Sequence, residues 1–275
     1  MNKKQQSQLK SLLKPVRKVA MAELLPNIAF VPQKSHAILV DTGNGEKMVN
    51  TCSKGYHLVP NQDIINPLLE TFEGHDLDFI TSSRLDSRFS LDVVFKDIEH
   101  ELPGGDKIHP KLKMFNSYDG RWKYQFYMGF FRMICSNGLV VPIEGFADKN
   151  TSLKMRHTPS LEEHVDKARL SDMLEAFKEN VKDFTKPYLN LQKQKVDNIE
   201  ERVKEVINET KFPTRQIETV LERVALEMDE IGAKKANDWL IYNGFNFQLN
   251  HNSEIKTDAF KKEKIDQQVL TFLLK

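Results

Sequence analysis

The chain has 275 residues, of which 40% are hydrophobic and 29% are charged, and its formal net charge is +1. These values exclude a disordered chain, which combines low hydrophobicity with high net charge, and they give no strong overall field towards nucleic acid or membrane. A chain of this length can bury a sizeable core as one large domain, or as one domain with an appendage. Any affinity for nucleic acid therefore has to come from a local basic patch.

The two cysteines of the chain, Cys52 and Cys135, are too few to make a zinc site by themselves, and we expect two buried thiols. The basic N-terminal residues are not followed by the apolar segment of a signal peptide. No apolar run reaches the roughly 18 residues that are needed to span a bilayer. These features predict a soluble, cytoplasmic protein without membrane contact.

The N-terminal part of the chain contains three local structural signals. Residues 1–25 predict a basic arm or a helix that Pro15 interrupts. Residues 37–52 predict a β-hairpin, because two apolar segments flank a turn in which glycines supply positive φ. Asn61 is placed to cap a helix whose end is marked by Gly74.

Two later segments alternate polar and apolar residues with the period of two that is typical of a β-strand. They are Phe89–Phe95 and Trp122–Phe130, and Tyr118-Asp119-Gly120 predicts a turn before the second segment. Strict alternation predicts strands that have one face in the core and the other in solvent.

The sequence pattern becomes helical in the C-terminal half. Ser160 and Glu163 predict a capping box at the start of a helix, and Pro187 is expected to kink or end that same helix. Apolar residues in the segment Val196–Val206 repeat at three-and-four spacing, which predicts a helix that packs internally or oligomerises.

The predicted fold class is α+β, because strands precede helices along the chain. We expect the basic arm or helix over residues 1–25, and then a mainly antiparallel sheet region with one helix over residues 26–158. A long-helix region over residues 159–275 follows, and we expect it to pack on the same sheet.

Motifs of the common enzyme classes are missing from the sequence. It has no Walker A loop, no dinucleotide-binding glycine turn, no nucleophile elbow and no His-Glu-x-x-His helix. Two loose polar sets, one resembling metal ligands and one resembling a nuclease site, are His100, Glu101 and His109, and Asp86, Asp92 and Lys96. Because both are weak signals, the sequence predicts no catalytic residue, no metal site and no cofactor, and it favours a protein that is not an enzyme.

Basic and aromatic side chains are concentrated on both sides of Asp119, where acids are few. The residues that we expect to hold phosphates are Lys111, Lys113, Arg121, Lys123 and Arg132. Flat aromatic side chains nearby could stack bases. The alternative is a solvated outer face, with the aromatic residues of the segment in the core.

Arg132 has the same strand parity as the apolar residues from Trp122 to Phe130. An uninterrupted strand would therefore direct a guanidinium into the core, where an unpaired charge is prohibitively costly. Either Gly129 marks a bulge that redirects the side chain, or Arg132 is buried and paired. Asp119 and Glu144 are the partners expected from the sequence.

Five short motifs follow one another along the chain: Tyr56–Asn61, Asn116–Gly120, Phe131–Gly138, Arg156–Thr158, and Trp239–Asn243 with His251. This set resembles the phage/plasmid-like protein family, a domain-of-unknown-function family of prophages, phages and plasmids, over roughly residues 35–255. The resemblance implies these site candidates: Tyr56, Asn116, Asp119, Gly120, Asn137, Arg156, His157, Trp239, Asn243 and His251.

The resemblance implies a mobile-element context but no particular activity. The last family motif usually reads Asn-Ala-Thr, whereas this chain has Asn243-Gly244-Phe245-Asn246 at that place and so lacks the hydroxyl group.

Three functional hypotheses follow. The first is a nucleic-acid-binding accessory protein of a phage or mobile element, for example one that binds or anneals single-stranded DNA in replication or recombination. The second is a non-catalytic interaction protein that forms homo-oligomers or titrates a host factor. The third is an enzyme acting on a nucleotide or nucleic acid, which would bring together Arg132, Asn137, His157 and His251.

Overall fold

The computed structural model describes residues 3–10, 12–102, 105–132, 137–139, 152–158 and 167–275. The chain is an α+β protein, as predicted, with antiparallel strands in the N-terminal half and helices in the C-terminal half. It divides into two compact units. Unit 1 comprises Met1–Asp97, Leu112–Met128 and Lys149–Ala176, and unit 2 comprises Ile98–Lys111, Gly129–Asp148 and Phe177–Lys275.

Unit 1 begins with helix α1 (Lys3–Lys10), strand β1 (Val16–Ala20) and the short helix α2 (Met21–Leu24). Strands β2 (His36–Asp41) and β3 (Glu46–Cys52) form the predicted hairpin, and β1 pairs with β2 to make a three-stranded sheet. In the hairpin turn Gly43 has a φ of 83°, which glycine adopts at no steric cost. Cys52 is buried as predicted, whereas Cys135 lies outside the described residues.

Helix α3 (Gln62–Thr71) begins directly after Asn61, and Gly74 follows its end, as predicted. The Asn61 side chain does not cap the helix, however, which corrects the expectation. Its backbone is already helical, and its amide Nδ2 donates to the carbonyl oxygen of Leu12 at 3.0 Å. The residue therefore anchors the N-terminal segment of the chain and leaves the first turn of α3 without a side-chain cap.

A larger sheet follows, whose strands are β4 (Leu77–Arg84), β5 (Arg88–Phe95), β6 (His100–Leu102), β7 (Asp106–Ser117), β8 (Tyr124–Arg132), β9 (Asn137–Leu139) and β10 (Ser152–Met155). The strand order is β10–β8–β7–β5–β4. The residues of β7 and β8 that belong to unit 2 pair with β6 and β9, both antiparallel.

The predicted alternation between core and solvent is wrong for this sheet. All residues of β5 and of β8 are buried on both faces of the sheet. The polar residues of β5 tolerate burial because they are paired: Asp92 accepts from Lys113 at 3.3 Å, and Arg88 donates to Asp119 at 2.7 Å. A strand with paired, buried charges therefore has the same alternation of polar and apolar residues in its sequence as a half-exposed strand.

The C-terminal half contains α4 (Lys167–Glu179), α5 (Val181–Lys193), β11 (Lys195–Val196), α6 (Ile199–Glu209), α7 (Ile217–Glu230), β12 (Ala236–Asn237), α8 (Asp238–His251) and α9 (Ala259–Leu273). The helix break falls at Asn180, and Pro187 lies inside α5, so the alternative that this proline ends a helix is wrong. The capping box predicted at residues 160–163 lies outside the described residues.

Helix α8 is the central helix of unit 2 and contacts α5, α7 and α9. A β-carbon on its Gly244 would lie 2.7 Å from Cγ2 of Val224 and 3.3 Å from the carbonyl oxygen of Val220, both in α7. Glycine thus permits the close approach of α7 and α8. The predicted stripe of α6 is also used internally, because Val203 and Val206 are fully buried and α6 contacts α7 and α9.

In the part of the chain that the structure describes, none of the helices combines the length and the apolar character needed to cross a bilayer.

Candidate functional site

The turn between β7 and β8 gathers several motif residues of unit 1. The hydroxyl of Tyr56 donates to the carbonyl oxygen of Ser117 at 3.0 Å. Gly120, the last residue of the predicted turn, has a φ of 67°, which a residue with a β-carbon rarely adopts. A β-carbon there would also lie 3.4 Å from the Tyr56 ring. These contacts fix the shape of the turn.

Asn116 lies at the centre of a buried amide network in the same unit. Its Nδ2 donates to the carbonyl oxygen of Val59 at 2.9 Å and to Oδ1 of Asn61 at 2.8 Å. The hydroxyl of Tyr118 accepts from the backbone N–H of Asn61 at 3.1 Å. The network therefore connects β7 with the chain segment that leads into α3.

Asp119 organises the charged side of the turn. It accepts hydrogen bonds from Nε of Arg88 at 2.7 Å, from Oγ of Ser87 at 3.3 Å, and from the backbone N–H of Arg121 at 3.1 Å. The carboxylate is thus the ion-pair partner of Arg88, and this corrects the expectation that it pairs with Arg132.

His157 packs against Tyr56, with ring centroids 5.3 Å apart and an angle of 16° between the ring planes. Burial lowers the pKa of His157 and raises the pKa of Tyr56, so both rings are neutral at pH 7. The backbone N–H of His57 donates to the carbonyl oxygen of His157 at 3.1 Å. The pair therefore holds two motifs together by packing.

The predicted phosphate ligands of unit 1 differ in accessibility. The side chain of Lys113 is 12% exposed, and its Nζ lies 3.1 Å from Oδ1 of Asp92 and 5.4 Å from the ring centroid of Phe115. Arg121 and Lys123 are exposed, as is the motif residue Arg156. Arg121 and Lys123 can therefore meet a phosphate in solution without any rearrangement of the fold.

Arg132 lies in the interior of unit 2 with an exposure of 0%. Its Nε donates to Oδ1 of Asp106 at 2.7 Å, its Nη1 donates to Oε2 of Glu227 at 2.6 Å, and its guanidinium lies 5.6 Å from the ring centroid of Trp239. The expectation of a buried, paired arginine is confirmed, although its partners are 26 and 95 positions away in sequence. Glu144 lies outside the described residues.

Glu227 extends this buried charge network. It is fully buried, and its Oε1 accepts from Nη2 of Arg223 at 2.8 Å, while Arg223 also reaches Glu230 at 3.3 Å. Charges of alternating sign thus run from Asp106 through Arg132 and Glu227 to the surface. In this network, Asp106 and Glu227 each accept from at least one guanidinium, which is the arrangement that makes burial of a carboxylate tolerable.

Lys111 is 1% exposed and belongs to a second polar cluster of unit 2, around Asp266. The carboxylate of Asp266 contacts the hydroxyl of Tyr242 at 2.9 Å and Nδ2 of Asn246 at 2.8 Å. Burial raises the pKa of Asp266 to about 7, and the charge of Glu263 adds to the rise, whereas the hydrogen bonds from Asn246 and Tyr242 and the charge of Lys111 oppose it. Lys111 is therefore part of the interior.

The remaining motif residues of unit 2 lie on α8 and β9. Nε1 of Trp239 donates to Oδ2 of Asp106 at 3.0 Å, and Nδ2 of Asn243 donates to the carbonyl oxygen of Trp239 at 2.8 Å. Both residues are buried, whereas His251 is exposed at the end of α8. Asn137 is opposite Arg132 in the pairing of β9 with β8.

Of the four residues of the enzyme hypothesis, His157 belongs to unit 1 and the other three belong to unit 2.

The two loose polar sets do not form sites among the described residues. Asp86 pairs with Lys14 at 2.7 Å and with Lys47 at 3.0 Å, and Lys96 lies 3.6 Å from Asp76. In the described ranges, no group of three or more His, Cys, Asp or Glu side chains is placed to hold a metal ion.

Unit 2 contains a cavity of about 540 Å³ that sequence reasoning did not find. It lies between the start of β7, the end of α5, strands β11 and β12, and the segment that follows α7. Its lining residues are Asp106, Gln192, Lys195, Ile231, Ala233, Lys234, Lys235, Asn237 and Trp239. We refer to Lys195, Lys234 and Lys235, which are all exposed, as the lysine rim.

The lysine rim is assembled by a short strand pair. Lys195 in β11 is opposite Asn237 in β12, and this pairing brings Lys195 towards Lys235, which is 40 positions later in sequence. Lys235 lies 3.3 Å from the exposed Asp197, whereas Lys195 and Lys234 have no carboxylate partner in the part of the chain that the structure describes. The adjacent lysines after Gly232, Lys234 and Lys235, were the one local feature of the sequence that could have indicated the lysine rim.

The fold and the site define an α+β protein whose motif residues are mostly in the interior and which has three exposed lysines at a cavity of unit 2. The family described as Domain of unknown function (DUF932) matches residues 49–269. The chain belongs to this family. A comparison with curated proteins and a comparison with solved structures give no match.

Proposed function

We propose that the protein is a nucleic-acid-binding accessory protein of a phage or other mobile element, and that it binds or anneals single-stranded DNA in the cytoplasm of the host cell. The observation that carries the proposal is the lysine rim, three exposed cations at the mouth of a cavity. Basic side chains that neutralise phosphates release counterions, which is the main source of affinity for single strands. The motif resemblance supports the mobile-element context.

The exposed cations are better placed to bind phosphate than the buried ones. Lys111 and Arg132 would have to leave the interior of unit 2 before they could contact a phosphate, and Lys113 would have to leave Asp92. Arg121 and Lys123 of unit 1 are exposed and form a second candidate contact. We therefore assign phosphate binding to the lysine rim first, and to Arg121 and Lys123 second.

Exchanging the lysine rim for glutamine (K195Q/K234Q/K235Q) is expected to weaken binding to a fluorescein-labelled oligothymidylate by about tenfold or more at low salt. Each lost phosphate contact on a single strand lowers the slope of log K against log salt by about 0.7, so the slope should fall by about 2. Fluorescence anisotropy titrations at several salt concentrations measure both quantities.

The matched control is K186Q/K204Q/K211Q, which removes the same charge from exposed lysines elsewhere in unit 2. It should bind nearly as the wild type does. An equal effect of both triple variants would show that only the net charge matters, and wild-type protein that does not bind the oligonucleotide would refute the proposal. R121Q/K123Q tests the second contact in the same assay.

The alternative of an interaction protein, which forms homo-oligomers or titrates a host factor, rests on a different observation. Leu25, Ile28 and Val31 of unit 1 are large apolar residues with exposures of 43%, 53% and 59%. Apolar residues exposed close together are typical of protein-binding surfaces. This alternative predicts that the wild-type protein fails to bind the oligonucleotide.

A further inference from the structure

The cavity of unit 2 is large enough for a small organic ligand. Its volume of about 540 Å³ falls within the range of about 300–1,000 Å³ that is usual for ligand sites. Secondary-structure elements supply most of its wall, with Gln192 at the end of α5 and Asn237 and Trp239 at the start of α8.

The wall and the rim differ in chemistry. Ile231 and Ala233, together with Trp239, which is 1% exposed, line the wall as its apolar residues, whereas the lysine rim places three cations at the mouth. A small inorganic anion would use the cations and leave the apolar wall uncovered. A ligand that combines a flat, weakly polar body with a phosphate group would use both parts.

The carboxylate of Asp106 does not oppose an anion in the cavity. Its Oδ1 accepts from the fully buried Arg132 at 2.7 Å, and its Oδ2 accepts from Nε1 of Trp239 at 3.0 Å. Arg132 balances its charge inside the protein, and at the mouth the three lysines outnumber the one carboxylate beside them, Asp197.

The wall is also held in place before any ligand arrives. The Trp239 ring is fixed by its bond to Asp106, and its centroid lies 5.2 Å from that of Tyr188 and 6.0 Å from that of Tyr242. Asn237 caps α8 by accepting from the backbone N–H of Leu240 at 3.0 Å. A pre-formed wall lowers the ordering cost of binding.

We propose that this cavity binds one nucleotide unit, with its base against Ile231, Ala233 and Trp239 and its phosphate at the lysine rim. The inference rests on the proposed function and deepens it. The nucleotide unit comes from one of two sources, a free nucleoside phosphate or the 5′-phosphorylated end of a single strand. Both present the same chemistry to the cavity.

The intrinsic fluorescence of Trp239 provides a direct readout. The chain has two tryptophans, Trp122 in unit 1 and Trp239 in the wall of the cavity. W122F therefore leaves one reporter, and the hydrogen bonds of residue 122 to Ser117 are backbone bonds that phenylalanine keeps. In this background, AMP, ATP, adenosine, and oligothymidylates with and without a 5′-phosphate are titrated.

We expect a saturable change in Trp239 emission with the phosphorylated probes and a response at least tenfold weaker with adenosine. K195Q/K234Q/K235Q should weaken the response at least tenfold. A233F, which narrows the cavity beside its apolar wall without changing charge, should weaken the response at least tenfold while leaving the circular dichroism spectrum unchanged. A response to AMP and ATP identifies a free nucleotide as the source, and a response to the 5′-phosphorylated oligonucleotide alone identifies a strand end.

The two proposals fail in different ways. In one case, oligonucleotides bind in the anisotropy assay and their binding depends on the lysine rim, but Trp239 emission does not change and A233F binds as the wild type does. This result overturns the cavity inference, and the proposed function stands. If AMP and ATP occupy the cavity and no oligonucleotide binds, the cavity assignment stands and the proposed function falls. If no probe binds in either assay, both are overturned.

Discussion

Replacing Arg132 with methionine is expected to lower the free energy of unfolding by about 3–5 kcal/mol. The arginine is fully buried between Asp106 and Glu227, at 2.7 and 2.6 Å. Without it, Asp106 keeps the hydrogen bond from Trp239 in the interior, and Glu227 keeps the one from Arg223, but both carboxylates lose the charge of Arg132. Removing one member of a buried ion network leaves uncompensated charge, and that loss exceeds any gain from the added apolar surface. Urea unfolding followed by circular dichroism measures the effect.

Two further variants show whether charge is the cause. R17M removes an arginine from an exposed ion pair with Glu46 in unit 1 and should leave the unfolding midpoint near that of the wild type. R132M/D106N/E227Q removes the carboxylate charges along with the arginine and should recover part of the lost stability. An R132M midpoint equal to that of the wild type would contradict the assigned role of Arg132 as a buried structural charge.

The contribution of Asp266 to the stability of the protein is expected to fall between about pH 4 and pH 7. The pKa of this buried carboxyl is raised from 3.8 to about 7 in the folded state. Between these values the folded state holds a proton on Asp266 that the unfolded state has released, so the contribution of this group to stability is greatest at low pH and declines as the pH rises towards 7. A shift of this size corresponds to roughly 4 kcal/mol at most.

D266N should remove this decline and make the protein more stable than the wild type at pH 7. An asparagine can keep both contacts, because its oxygen accepts from Asn246 and its NH₂ donates to the Tyr242 hydroxyl. D258N is the matched control on α9: Asp258 caps the helix, and asparagine caps equally well. Urea titrations from pH 4 to 8 measure the decline, and identical pH profiles for D266N and the wild type would exclude this role for Asp266.

Local signals predicted much of the fold. Residues close together in sequence determine the hairpin of β2 and β3 and the end of α3 shortly before Gly74. Both features could therefore be predicted from the local sequence. The prediction that the Asn61 side chain caps α3 was wrong because distant parts of the chain set the environment of that side chain. Asn61 bonds to Leu12 and Asn116, 49 and 55 positions away.

The candidate site was harder to predict than the fold. Strand parity left either a bulge at Gly129 or a buried, paired Arg132, and the structure shows the second; its partners Asp106 and Glu227 come from a strand start and a distant helix. The lysine rim depends on the pairing of β11 with β12, two strands of two residues each, which are too short to leave a periodic pattern. The family resemblance selected residues that are mostly buried, because most motif residues stabilise the fold of the unit to which they belong.

We propose above all that nucleic acid binds first at the lysine rim, with Arg121 and Lys123, between β7 and β8, as a second contact. Photocross-linking of a 4-thiothymidine oligonucleotide to the intact protein, followed by mass spectrometric mapping of the attached peptides, tests it most directly. We predict cross-links in peptides that contain residues 192–197 and 231–239. Cross-links confined to residues 107–132 would contradict the claim and return the site to the strands on which the sequence first placed it.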